Sequence, residues 1–216
     1  MEEVVEALVA LLLRCGVVAH VDVLAAIVAV ESRGNPIALA VNGPYELVRA
    51  PRSLSEAVAT AQWLLEHGHN FDAGLAQVNS ANLARLGLDS ASVFDSCGNV
   101  RAAGLVLEEC FQRAAHLGGG NEHQMDGAVS CYNTGHRTRG IANGYANAVR
   151  VAWKSVAASP SHLSAPTSIL GPQAHEAPLR SQADAAQRAR GETAPDAFAG
   201  RLADAFHAVT SREGAR

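Results

Sequence analysis

Apolar residues recur three and four positions apart through most of the first 154 residues, and this spacing limits the chain to a mainly helical fold. The segments that carry it are 3–14, 21–32, 54–67, 80–86, 100–116, 124–132 and 141–157. Asn79 or Ser80 can cap the fourth, and Gly87 stands where a helix-terminating glycine belongs. Two stretches break the pattern. Residues 38–50 and 72–78 are short, apolar and interrupted by Gly and Pro, enough for a small β-ribbon. The expected fold is therefore mainly α (α+β), with a minor sheet and no internal repeat.

The pattern stops near Lys154. Eight of the ten aromatic residues precede it and five of the eight prolines follow it. Residues 1–154 are the expected folded domain and 155–216 a flexible tail. Within the tail, 155–180 reads as a linker. Phe198, Leu202, Ala205, Phe206 and Val209 can form one short amphipathic helix in 181–212. Such a helix buries little alone, so it is either loosely docked or a partner-binding element.

Charge excludes some functions. The net charge is -4, and the basic residues form no dense run, so no nucleic-acid partner is expected. No apolar run is long enough for a membrane span. The apolar stretch Leu8–Leu13 follows Glu2, Glu3 and Glu6 rather than basic residues, so no signal peptide is visible. It reads instead as a first helix with Val4, Leu8, Leu11 and Leu12 on one face. Cys15, Cys97, Cys110 and Cys131 contain no C-x-x-C pair. They fit one or two disulfides in an oxidising compartment, with three possible full pairings, or four buried thiols.

One carboxylate stands out. Leu24, Ile27 and Val28 form an apolar stripe, and Glu31 is its next step. Arg33-Gly34-Asn35-Pro36 then ends the helix. Glu31 is thus expected to face inward at the negative end of the helix dipole. Burial and dipole both disfavour its ionised form and raise its pKa. A carboxylic acid protonated near neutrality can donate a proton to a glycosidic oxygen. Spacing alone favours the blander alternative, a Glu that frays outward at the helix end.

Further segments select between these. Glu31-Ser32-Arg33-Gly34-Asn35-Pro36 resembles the catalytic segment of the goose-type lysozyme and soluble lytic transglycosylase superfamily. Gly74-Leu75-Ala76-Gln77-Val78-Asn79 is similar to its Gly-Leu-Met-Gln-Ile/Val-Asn motif, with Ala76 in place of the common Met. Ala128-Val129-Ser130-Cys131-Tyr132-Asn133-Thr134-Gly135 resembles its Ala-x-x-x-Tyr-Asn-x-Gly motif, and Gly144-Tyr145 followed by Val149 its last element. Val41-Asn42-Gly43, the Ser55–Leu65 helix with Trp63, Gly68-x-Asn70-Phe71-Asp72-x-Gly74-Leu75 and Phe94-Asp95-x-Cys97-x-Asn99-Val100 look like the branch attached to type IV secretion and conjugation systems. The similarity runs from about Cys15 to Trp153 and leaves the tail uncovered.

The resemblance implies a lysozyme-like fold and a lytic transglycosylase acting on peptidoglycan glycan strands. Glu31 would protonate the oxygen between N-acetylmuramic acid and N-acetylglucosamine. It would then act as base on the sugar's C6 hydroxyl, closing a 1,6-anhydro ring. That nucleophile belongs to the substrate, so no second enzyme carboxylate is required, unlike in most glycosidases. Glu46 and Asp72 are the nearest other acids, and Asp72 is expected as a loop hydrogen-bonder. Ser32, Gln77, Asn79, Tyr132, Asn133 and Tyr145 are the implied substrate-binding residues. Ser32 has an equal structural role open to it at the helix end, and Tyr132 can reach Glu31 or flank the cleaved sugar.

No cofactor or metal is expected: the nine histidines include no H-E-x-x-H and no Cys/His set at ligand spacing. The branch implies local opening of the wall in the periplasm and contact with type IV secretion subunits through the tail. A goose-type hydrolase using water, and a non-catalytic peptidoglycan-binding scaffold, are the alternative readings.

Overall fold

The computed structural model describes residues 2–115 and 121–157, with side chains for 4–115 and 122–154. The described helices are α1 (Glu2–Arg14), α2 (Val21–Glu31), α3 (Leu54–Glu66), α4 (Ser96–Ala115), α5 (Asn121–Thr134), α6 (Arg139–Ala142) and α7 (Tyr145–Ala157). A three-stranded antiparallel sheet is built from β1 (Leu39–Val41), β2 (Phe71–Ala73) and β3 (Val78–Asn79), in that order. The mainly α fold with a minor sheet is as expected. Helix α7 runs to Ala157, three residues past the expected domain end at 154. The expected linker beyond it and the short helix within 181–212 lie outside the described residues.

Helix α2 is the centre of the core. Val23, Leu24, Ala25, Ala26, Ile27 and Val28 are all buried, so the helix is apolar on every side rather than along one stripe. Helices α1, α4 and α7 pack around it. Helix α1 buries Val5, Leu8 and Leu12, and Cys15 is buried just after it, while Val4 is 44% exposed. The inward face keeps Leu8 and Leu12 as expected, with Val5 in the place of Val4.

Two disulfides staple the helices. Cys15 pairs with Cys97 and Cys110 with Cys131, which ties α4 at its start to the segment after α1 and at its middle to α5. All four cysteines are paired, and the thiol alternative falls away.

Local chemistry explains where elements begin and end. Asp95 accepts the Gly98 N–H at 2.7 Å, a side-chain cap that starts α4 at Ser96 rather than at 100. The segment expected as one helix over 141–157 is broken by Gly144, whose φ of +86° no helix accommodates. Residues 80–86 form two 3-10 turns, Ser80–Asn82 and Ala84–Leu86, not an α-helix. Gly87, with a φ of +70°, ends the second of them.

The β2–β3 connection is the tightest point of the sheet. Asn99, fully buried on α4, accepts the Ala76 N–H at 2.8 Å. It donates to the carbonyls of Ala73 at 2.9 Å and Val93 at 2.8 Å. Gly74 has a φ of +80°, and a Cβ there would lie 2.2 Å from Asn99 Nδ2. Gly74→Ala should therefore destabilise the fold by about 2–4 kcal/mol, from strain and overpacking together. Gly87→Ala, at a similar φ of +70° with open space around it, should cost only about 1 kcal/mol. Urea midpoints of the two variants test this; equal midpoints would show that Asn99 does not confine the turn.

Candidate active site

Glu31 is the last residue of α2, and Arg33 with φ +55° turns the chain away immediately after it. The best-buried helix thus delivers the carboxyl to its own end. There the side chain is half-buried, and its pKa is raised to about 7. Burial is the main cause; a hydrogen bond from Tyr145 opposes it and the nearby charge of Asp72 adds to it.

Tyr145 opens α7 and donates its hydroxyl to Glu31 Oε1 at 2.5 Å. Asn143 accepts the Tyr145 N–H at 3.0 Å and donates to Asn133 Oδ1 at 3.1 Å, so the α6–α7 link is braced on α5. Tyr132 takes a different partner: its hydroxyl donates to the Ala76 carbonyl at 2.7 Å. Burial first, then the charges of Glu31 and Asp72, hold the Tyr132 hydroxyl well above the usual phenol range. Both tyrosines are proton-bearing donors here, not bases.

Glu31 opens into a cleft of about 400 Å³. Its sheet side carries a hydrogen-bonded set of amides around one carboxylate. Asn42 Nδ2 donates to Asp72 Oδ2 and to Asn70 Oδ1, both at 2.8 Å. Asn79 Nδ2 donates to Asp72 Oδ1 at 2.7 Å and to Asn70 Oδ1 at 2.9 Å. Asp72 is paired opposite Asn79 across β2–β3. Replacing Asp72 by Asn should lower the Glu31 pKa, because a like charge is removed, while Tyr145→Phe should raise it. Carboxyl 13C NMR titration reads both directions, and opposite shifts would show that these neighbours do not set it.

Gln77 has a φ of +49°. Its amide N–H groups donate to the carbonyls of Gly74 at 2.9 Å and Ala38 at 3.1 Å. What it offers a ligand is its carbonyl oxygen, an acceptor for an amide N–H or a hydroxyl. Asn133, on α5, also lines the cleft and is exposed.

The sequence that builds this site matches a known family. The Transglycosylase SLT domain matches residues 19–151. The chain belongs to this transglycosylase family. It is 42% identical over 129 residues to the type IV secretion system protein virB1 of Brucella suis biovar 1, covering 59% of this chain and 54% of that protein. It is 32% identical over 145 residues to protein virB1 of Rhizobium radiobacter, covering 66% and 59% respectively. Protein virB1 of Agrobacterium fabrum is 34% identical over 134 residues, with 60% and 52% covered. The chain thus spans about half the length of the curated relatives it matches. No solved structure matches it.

Every site residue expected from the sequence falls inside the matched SLT domain. Glu31, Gln77, Asn79, Tyr132 and Asn133 line the cleft together. Tyr145 reaches Glu31, but is not among the cleft-lining residues. Ser32 is not among them either. Its hydroxyl donates to the Val28 carbonyl at 3.3 Å and accepts the Gly34 N–H at 3.1 Å, closing the end of α2. Asp72 sits on strand β2 rather than in a loop. Asn42 and Asn70 line the cleft as well and were not foreseen. Their signal in the sequence was their place in the Val41-Asn42-Gly43 and Gly68-x-Asn70-Phe71-Asp72 segments, where Asn70 directly precedes strand β2. Among the described residues, no group of His, Cys, Asp and Glu is placed to hold a metal ion.

Proposed function

We propose that this chain is a peptidoglycan lytic transglycosylase that cuts the β-1,4 bond between N-acetylmuramic acid and N-acetylglucosamine and releases 1,6-anhydro products. The observation that carries this reading is Glu31: a half-buried carboxyl with a pKa of about 7, opening into an amide-lined cleft. Near neutrality such a group carries a proton it can give away. The glycosidic oxygen takes that proton as the bond to the anomeric carbon breaks, leaving oxocarbenium character on the sugar. The Glu31 carboxylate then removes the proton of the C6 hydroxyl as its oxygen closes on the anomeric carbon. The acid is regenerated, and no water is consumed. The carbonyl of Gln77 and the amides of Asn42, Asn70 and Asn79 suit hydroxyl and N-acetyl groups.

A second reading is favoured by one observation: Asp72, held by two amide donors, also lines the cleft. A carboxylate there can orient a water, which would replace the C6 hydroxyl and make the reaction a hydrolysis. Mass spectrometry of digested sacculi separates the two. Anhydro ends support the transglycosylase, reducing ends the hydrolase, and intact sacculi would sink both.

The two disulfides favour an oxidising compartment, and the substrate lies in the periplasm of a diderm cell, so the periplasm is the proposed site of action. The name of the Brucella suis relative supports a role in type IV secretion, and local opening of the wall for an assembling apparatus is the role proposed. Residues 1–154 are the proposed catalytic domain. Residues 155–216 are proposed to recruit secretion subunits, from their composition alone.

A further inference from the structure

The cleft does not account for one group of rings beside it. Trp63, on α3, stacks on His67 with centroids 4.0 Å apart and planes 19° apart. It stacks also on His69, at 5.5 Å and 18°. Tyr45 meets His69 edge-on at 4.9 Å. Four rings thus lie in one continuous series. Tyr45 and His67 are exposed, and Trp63 and His69 half-buried. A core cluster would be covered, and this one is not.

Its position is set by the cleft. His69 directly precedes Asn70, and Tyr45 lies three residues after Asn42, both of which line the cleft. Asn42 and Asn70 are bonded to each other through backbone, at 2.8 Å, and through side chains, at 2.8 Å. The loop that carries Tyr45 is held down by an Arg49–Glu56 ion pair onto the start of α3. Rings and amides therefore form adjoining parts of one surface. His67 is fixed on Trp63 by a hydrogen bond from its Nδ1 to the Trp63 carbonyl at 2.8 Å.

We infer that the Tyr45–His69–Trp63–His67 series, adjoining the Asn42–Asn70 amide pair, is an outer subsite on which a sugar of a β-1,4-linked N-acetylglucosamine-type chain stacks beyond the cleft. A pyranose presents a face of C–H groups that packs on an aromatic ring, and hydroxyl and N-acetyl groups at its rim that suit neighbouring amides. Both surfaces are present side by side. The subsite would select long glycan strands over fragments. This rests on the glycan reading of the cleft.

The test uses Glu31→Gln protein, which keeps the cleft without cutting, and two probes: tri- and hexa-N-acetylchitooligosaccharide, measured by calorimetry. The hexamer should bind more tightly than the trimer. Trp63→Ala and Tyr45→Ala should each weaken the hexamer about 3- to 10-fold and leave the trimer unchanged, while Tyr45→Phe, which keeps the ring, should match the parent. Trp63 and Trp153 are the two tryptophans of the chain. In a Trp153→Phe background the hexamer should therefore shift Trp63 emission, and the trimer should not. Tyr45 lies on an exposed loop, so its variants decide the matter even if Trp63→Ala fails to fold. Unchanged hexamer affinity in both alanine variants overturns this inference and leaves the proposed function standing. Equal weakening of trimer and hexamer overturns it also. Failure of the parent to bind either probe overturns both readings.

Discussion

Glu31→Gln is expected to lower peptidoglycan cleavage by about a thousandfold or more, since in the proposed mechanism one carboxyl serves both proton transfers and each is worth about 10²–10⁴. The same substitution should stabilise the folded chain at alkaline pH. In the folded state Glu31 titrates at about 7, against 4.5 as its ordinary value. Between those values the folded molecule holds a proton that the unfolded chain releases. Stability therefore falls as pH rises through this window, by up to about 3 kcal/mol above pH 7. Gln carries no charge and escapes the loss. Urea unfolding at pH 8 should give the variant the higher midpoint, with the difference vanishing near pH 4. For the wild type, kcat/KM should hold up to about pH 7 and fall tenfold per unit above it. A rate that rises through pH 8, or a variant less stable than wild type at that pH, would remove Glu31 from the role of buried acid. The site buys its acid at the expense of fold stability.

Breaking the Cys15–Cys97 bridge is the second large effect. Its cysteines are 82 residues apart, so in the chain-entropy account the cross-link removes about 4–5 kcal/mol of freedom from the unfolded state. Cys110–Cys131, with a separation of 21, contributes about 3 kcal/mol on the same scale. A domain of this size has about 5–15 kcal/mol in total. Loss of both bridges should therefore leave it marginal or unfolded at 37 °C. Thermal melts with and without reductant, alongside Cys15→Ser/Cys97→Ser and Cys110→Ser/Cys131→Ser double variants, give the order of the two effects. A larger loss from the shorter bridge would show that contacts around the sulfurs, rather than loop closure, set its value.

Much of the helical framework was legible because it depends on local spacing. The stripe Leu24, Ile27, Val28 and the helix stop at Arg33-Gly34 placed Glu31 at the end of a buried helix, and the structure has it there. The reading went astray where partners are distant in the chain. Asn42 reaches Asn70 and Asp72 across 28 and 30 residues, and no periodicity announces such a bond. The two tyrosines illustrate the same limit. Each was visible as a candidate, but the geometry that turns Tyr145 to Glu31 and Tyr132 to Ala76 depends on the break at Gly144 and on the turn held by Asn99. Ser32 shows the converse: its two hydrogen bonds are local, and the helix-end role could be read beside the binding role but not chosen over it.

The placement of Glu31 also bears on how such a domain can diversify. Its backbone belongs to α2, which neighbouring helices enclose, whereas Tyr45, His67 and Asn70 belong to connecting segments around α3 and the sheet edge. Connections tolerate insertion and exchange far better than enclosed helices do. Insertion or exchange in the 42–53 segment can accordingly alter the proposed outer subsite while the backbone that carries Glu31 keeps its place. The proposed proton donor and the proposed outer subsite thus rest on parts of the fold that can vary independently of each other.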